Sequence, residues 1–91
     1  MIYLYVRQTV LKYPIWRESF DRQLAARQAG GAAKEILVLR NIDNSDEIVV
    51  LLGWCDPYQA RLYINSVSWQ IALRQMGIVG LPEVGVLERV D

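Results

Sequence analysis

The side chains that carry most proton-transfer chemistry near neutral pH are scarce in this sequence of 91 residues, which has no histidine and a single cysteine, Cys55. Without an imidazole, no Ser-His, Cys-His or histidine-based proton relay can be assembled within the chain. Zinc sites of His and Cys are excluded for the same reason, because Cys55 alone offers one soft ligand. A haem held by a proximal histidine is excluded as well, and neither a metal nor a cofactor is expected. A lone cysteine closes no disulfide within the chain, which fits a reducing compartment. Cys55 follows Trp54 at the end of an apolar run and reads as a small core side chain.

Ten Lys and Arg residues balance ten Asp and Glu residues. Zero net charge argues against non-specific binding to nucleic acid or to an anionic membrane, both of which need a clustered positive field. An apolar fraction of 53% with 22% charged residues is globular in character. At this length a single domain over residues 1–91 is expected. Such a domain buries only about 60–65% of the surface of its unfolded chain, so a partner that adds burial has much to contribute. The start, Met1-Ile-Tyr-Leu-Tyr-Val-Arg7, lacks the basic lead and long apolar stretch of a secretory signal. The longest apolar run, Ile48 to Cys55, falls far short of the ~20 residues of a membrane span. A cytoplasmic location follows as the expectation.

The elements that must position any site read as follows. Ile2 to Val10, rich in Tyr, Val and Leu, is strand one. Pro14 then sits at a first-turn position, and Trp16, Phe20 and Leu24 recur every four residues among Arg17, Glu18, Asp21, Arg22 and Arg27. That spacing predicts a one-faced amphipathic helix with a solvated charged side, ending at Gly30-Gly31. Lys34 to Ile42 is strand two, Asp43-Asn44-Ser45-Asp46 a turn, and Glu47 to Cys55 strand three. Asp56-Pro57 opens a helix to about Ser66, and Ser68 caps a second segment carrying Trp69, Ile71, Leu73 and Met76, closed by Gly77. After a Gly80-Leu81-Pro82 loop, Glu83 to Val90 is the last strand. The order is that of a ferredoxin-like βαββαβ fold of the α+β class, an antiparallel sheet with its helices on one face.

Strand three says most about the sheet's other face. Ile48, Val50, Leu52 and Trp54 point one way and Val49, Leu51, Gly53 and Cys55 the other, and both sets are apolar. A sheet with one wet face should alternate apolar and polar. Strand two repeats the pattern with Ile36, Val38 and Ile42 against Leu37 and Leu39. The helices cover only one face, so the expectation is a homodimer with its sheets face to face, each copy covering the other. The five tyrosines, Tyr3, Tyr5, Tyr13, Tyr58 and Tyr63, suit amphipathic edges of that core or dimer surface.

Several motifs resemble a known group. Val6-Arg-Gln-Thr-Val10, Tyr13-Pro-Ile-Trp16 and Phe20-Asp21 are similar to the opening of small proteins of the antibiotic biosynthesis monooxygenase-like superfamily, the dimeric α+β barrel proteins. The resemblance continues through Arg40-Asn-Ile-Asp43, Glu47-Ile-Val-Val-Leu-Leu-Gly-Trp54, and Ala60 with Ser66. It closes with Met76-Gly-Ile-Val-Gly-Leu-Pro-Glu-Val84 and Leu87-Glu88, and so spans nearly the whole chain. It implies a dimer whose sheets form a barrel, with a cleft in each subunit between sheet and helices. Enzymatic relatives include cofactor-free oxygenases of polycyclic aromatics, haem-degrading enzymes and isomerases. Relatives often carry a histidine where this chain has Gln8, and glutamine cannot serve as a general base.

A cofactor-free oxygenase needs a dry pocket, groups that orient an electron-rich substrate and a donor for its deprotonated oxygen. Trp16, Phe20, Trp54 and Trp69 are the candidate apolar walls, and Gln8, Arg40 and Asn41 the candidate donors. Each has a plainer reading: Trp16, Phe20 and Trp54 as core, Gln8 as a solvated strand residue, Arg40 as a partner for Asp43 or Glu47. A non-catalytic ligand-binding or structural dimer stands as the alternative to an enzyme, with a small apolar or aromatic molecule as the expected guest. The RNA-recognition domains share this element order, but strand three lacks their basic-Gly-aromatic signature.

Overall fold

In the computed structural model, which describes residues 1–91, the chain alternates between strands and paired short helices. Tyr, Val and Ile favour the pleated, half-buried surface of β1 (Ile2–Val10). Pro14 then opens α1 (Tyr13–Arg22), where its missing N–H costs nothing. The single helix expected here is two, because the ladder breaks at Gln23 and restarts as α2 (Leu24–Ala29). The break turns Leu24 out of the apolar stripe and leaves it 43% exposed.

The hairpin of β2 (Ala32–Arg40) and β3 (Glu47–Trp54) follows. β2 starts and ends two residues before the expected Lys34–Ile42, and Ile42 lies in the turn, fully exposed. Asp56 caps α3 (Pro57–Ile64) by accepting from the Gln59 N–H at 2.8 Å. Ser66, and not Ser68, caps α4 (Val67–Gln75), its Oγ accepting from the Trp69 N–H at 3.2 Å.

The last strand departs most from expectation. β4 runs Ile78–Glu88 and takes in the Gly80-Leu81-Pro82 segment that reads as a loop. Arg7 pairs with Glu83 and Thr9 with Val79, so Gln8 alone stands opposite Gly80, Leu81 and Pro82. The three form a bulge in a continuous strand, where proline's missing N–H is tolerated and Gly80 takes a left-handed φ of +73°.

All pairings are antiparallel and the strand order is β2-β3-β1-β4, the ferredoxin-like arrangement. Even-numbered side chains of β1 and β3 face the helices: Leu4, Val6, Gln8 and Val10 beside Ile48, Val50, Leu52 and Trp54, all buried. Trp16, Phe20, Tyr63, Trp69 and Met76 meet them from the helical layer. No helix is long and apolar enough to cross a membrane.

The other face is uncovered. Tyr3, Tyr5, Val49 and Leu51 lie on it half-buried, with Leu37 55% and Leu87 46% exposed. Arg7 crosses it between Glu47 at 2.5 Å and Glu83 at 3.7 Å. Cys55 is also exposed rather than buried, because β3 stops at Trp54 and no element lies over the next residue.

Gly31 shows how tightly the helical layer is closed. Its φ is +106°, and a Cβ there would lie 3.0 Å from the Trp54 indole nitrogen and 3.3 Å from Gln59 Cβ. Gly31→Ala is therefore expected to cost about 1–3 kcal/mol from backbone strain, read as a fall in the urea midpoint.

Candidate functional site

Two groups of rings come together between the helices and the sheet. Four-residue spacing on α1 stacks Trp16 on Phe20, centroids 4.9 Å apart and planes 15° from parallel. From α3 and α4, Tyr63 leans on Trp54 at 4.9 Å and meets Trp69 edge-on at 5.8 Å. A cavity of about 20 Å³ lies between the groups, floored by Val6, Gln8, Val50 and Leu52 of the sheet. Trp16, Phe20, Tyr63, Trp69 and Met76 enclose it, and Gln23 and Arg27 are its only other polar neighbours besides Gln8.

Gln8, Trp16, Phe20 and Trp69 of the candidate residues all line this cavity. Gln8 is buried, and its Oε1 accepts from the Trp16 indole N–H at 3.2 Å. An indole nitrogen only donates, so this bond fixes the amide's orientation and leaves its NH₂ end unengaged by Trp16. Trp54 stands one layer back behind Tyr63 and donates from Nε1 to the Gly30 carbonyl at 3.0 Å. That bond closes the α2–β2 corner.

Arg40 and Asn41 lie away from the cavity. The Arg40 guanidinium sits over the Tyr13 ring at 4.6 Å and pairs with neither Asp43 nor Glu47. Asn41 organises the hairpin turn: its Oδ1 accepts from the Asp43 N–H at 2.9 Å and its Nδ2 donates to Glu47 at 2.5 Å. The Asn41 amide, and after it the Arg7 guanidinium, hold the Glu47 carboxyl below its ordinary value of 4.5. A carboxyl depressed on folding stabilises the fold above its unfolded value and loses that contribution as pH falls through the folded value. Glu47→Gln should therefore flatten the dependence of the urea midpoint on pH below about 4.5, and leave the slope near neutrality unchanged.

Arg27, read from the sequence as part of a solvated charged face, is the polar residue that expectation missed. It is 4% exposed and lies over the Phe20 ring at 4.0 Å. The helix restarts at Leu24 after the break at Gln23, and the new orientation of α2 turns Arg27 inward over Phe20. Burial lowers the tendency of Arg27 to hold its proton and raises the Tyr63 phenol, whose shift the Arg27 charge opposes. No cluster of three or more His, Cys, Asp or Glu side chains exists to hold a metal ion.

The layered sheet and helices with a ring-lined cavity between them define a ferredoxin-like α+β protein, and comparison with solved structures gives that class its members. No family model matches the chain, and no curated protein sequence matches it. A Bordetella bronchiseptica protein assigned by name to the antibiotic biosynthesis monooxygenases superposes with a TM-score of 0.81 at 13% identity, over 98% of this chain and 96% of that one. SnoaB of Streptomyces nogalater, described as a cofactor-independent oxygenase, superposes at 0.73 with 20% identity, over 99% and 93% of the two chains. Rv0793 of Mycobacterium tuberculosis gives 0.69 with 16% identity, over 99% and 95%. The chain thus has the fold of the antibiotic biosynthesis monooxygenase-like proteins over its whole length, in agreement with the resemblance carried by its motifs.

Proposed function

We propose that the protein is a homodimer whose subunits each bind a small planar aromatic molecule between helices and sheet. The carrying observation is the cavity itself, walled by Trp16, Phe20, Tyr63 and Trp69 with only Gln8, Gln23 and Arg27 as polar neighbours. Ligand sites typically combine such apolar walls with a few convergent polar groups. At about 20 Å³ the resting cavity has room for roughly one water, so binding a ring requires α1 and α2 to part from the sheet. The break at Gln23 is the natural place for that movement.

The dimer is supported by the uncovered sheet face. The chain exposes 5892 Å², against about 5400 Å² for a monomeric protein of its mass. Leu37, Leu51 and Leu87 lie on that face and would be covered on meeting a second copy.

Tryptophan fluorescence with two- to four-ring aromatics tests the binding reading. Saturable quenching with a matching rise in melting temperature is expected, since a ligand at 100 times its Kd adds about 2.7 kcal/mol. No quenching and no thermal shift across the panel would contradict it.

A second reading, oxygenation of the bound molecule without a cofactor, is favoured by the likeness to SnoaB. The chain has no imidazole and no carboxylate lines the cavity, so the substrate must be acidic enough to lose its proton to solvent. Oxygen consumption with hydroxylated polycyclic aromatics and the purified protein checks it, and no consumption across the panel removes the oxygenase reading while leaving the binding one.

A further inference from the structure

We infer that the cleft selects an anionic aromatic ligand, and that Arg27 receives its charged oxygen. The inference rests on the proposed aromatic cleft and adds its polarity. Arg27 is a buried cation that takes part in none of the ion pairs of the protein. Its Nη1 donates to the Phe20 carbonyl at 2.7 Å, and its charge otherwise faces the Phe20 ring. Its Nε is the one buried side-chain polar atom in the molecule with no hydrogen-bond partner. Buried donors are nearly always satisfied, so an orphan on a permanent cation at a cavity wall marks a place for an acceptor.

The position of Arg27 fits that role. Outside the cavity, between α1–α2 and β2, lies an open groove of about 290 Å³ lined by Arg17, Asp21, Leu24, Ile36 and Val38. Phe20 and Arg27 are the two residues common to groove and cavity, so their stacked pair is the partition between them. A ring entering from the groove as α1 and α2 part from the sheet passes this partition and comes to lie along Phe20 with its edge at the guanidinium. Asp21, the one carboxylate of the groove, acts on the Arg27 charge without bonding to it, and is itself held by Arg17 at 3.2 Å. With Nη1 committed to a backbone carbonyl, the Nε edge is left for the ligand, and a carboxylate or phenolate oxygen suits it better than a neutral hydroxyl.

The test uses the whole protein and two probes of matched shape, 2-naphthoate and 2-naphthalenemethanol, titrated by tryptophan fluorescence. The acid is expected to bind at least about tenfold more tightly than the alcohol, and Arg27→Met should bring that ratio close to one. Arg27→Lys, which keeps the charge but loses the fork, should give an intermediate ratio. Equal affinities in the unaltered protein, a comparison that needs no variant, would overturn the assignment while leaving the aromatic cleft standing. A preference for the acid that survives Arg27→Met would overturn it too. If neither probe binds, the assignment and the cleft fail together.

Discussion

Trp16→Ala is expected to lower the stability of the fold by about 3–5 kcal/mol, the range for removing a fully buried large aromatic. Trp16 has no exposed surface, stacks on Phe20 and donates the hydrogen bond that satisfies Gln8. Deleting it leaves a cavity and also an unpaired buried amide oxygen, whose desolvation adds about 1–3 kcal/mol. A chain of this length has roughly 5–14 kcal/mol in total, so urea denaturation should show a midpoint cut by about a fifth or more. Trp16→Phe isolates the polar part: it keeps a ring but orphans Gln8, and adding Gln8→Leu should recover some of the loss. A Trp16→Ala midpoint indistinguishable from that of the unaltered protein would show that this stack does not organise the cleft.

If the subunits pair through their sheets as proposed, Leu51→Asp is expected to separate them while leaving each one folded. Leu51 is central on the uncovered face, paired with Tyr5 of β1 on one side and Leu37 of β2 on the other. In a face-to-face pair of sheets the new carboxylate, one from each subunit, would be taken out of water beside an Arg7 already held by Glu47 and Glu83, costing several kcal/mol per ion. In the separated subunit it stays hydrated, because Leu51 lies outside the core cluster. Light scattering at micromolar concentration should therefore give about 21 kDa for the unaltered protein, twice the 10.5 kDa subunit, and 10.5 kDa for the variant. A monomer before substitution, or a dimer after it, would contradict the assembly.

The order of elements was legible in the sequence because β1, β3 and the capped helices each carry their own signal. Tyr3 and Tyr5 alternate with Ile2, Leu4 and Val6 at the start of Ile2–Val10, Asp56-Pro57 opens α3, and the apolar run before Cys55 is β3. The departures occur where local signals point away from tertiary structure. Gly80-Leu81-Pro82 has loop chemistry, yet strand pairing on both sides of it makes a bulge. The break at Gln23 cannot be read from a periodic stripe, and it exposes Leu24.

The site was half legible for the same reason. Gln8, Trp16, Phe20 and Trp69 converge because register and helical spacing place them on one inner layer. Trp54 points to the same face but stands behind Tyr63 with its N–H spent on the Gly30 carbonyl, while Arg40 and Asn41 belong to the hairpin end. Arg27 among charged neighbours reads as solvated, and it is the restart of the helix after Gln23 that turns it inside.

The three indole N–H groups allow the ligand cleft to be tested site by site. Trp16 and Trp69 line the cavity, and Trp54 lies behind it with its N–H held by Gly30. In nitrogen-15 NMR spectra recorded during titration with 2-naphthoate, the Trp16 and Trp69 indole signals should shift together and saturate, with the Trp54 signal moving far less. Three unmoved signals, or a shift confined to Trp54, would contradict the placement of the ligand between helices and sheet.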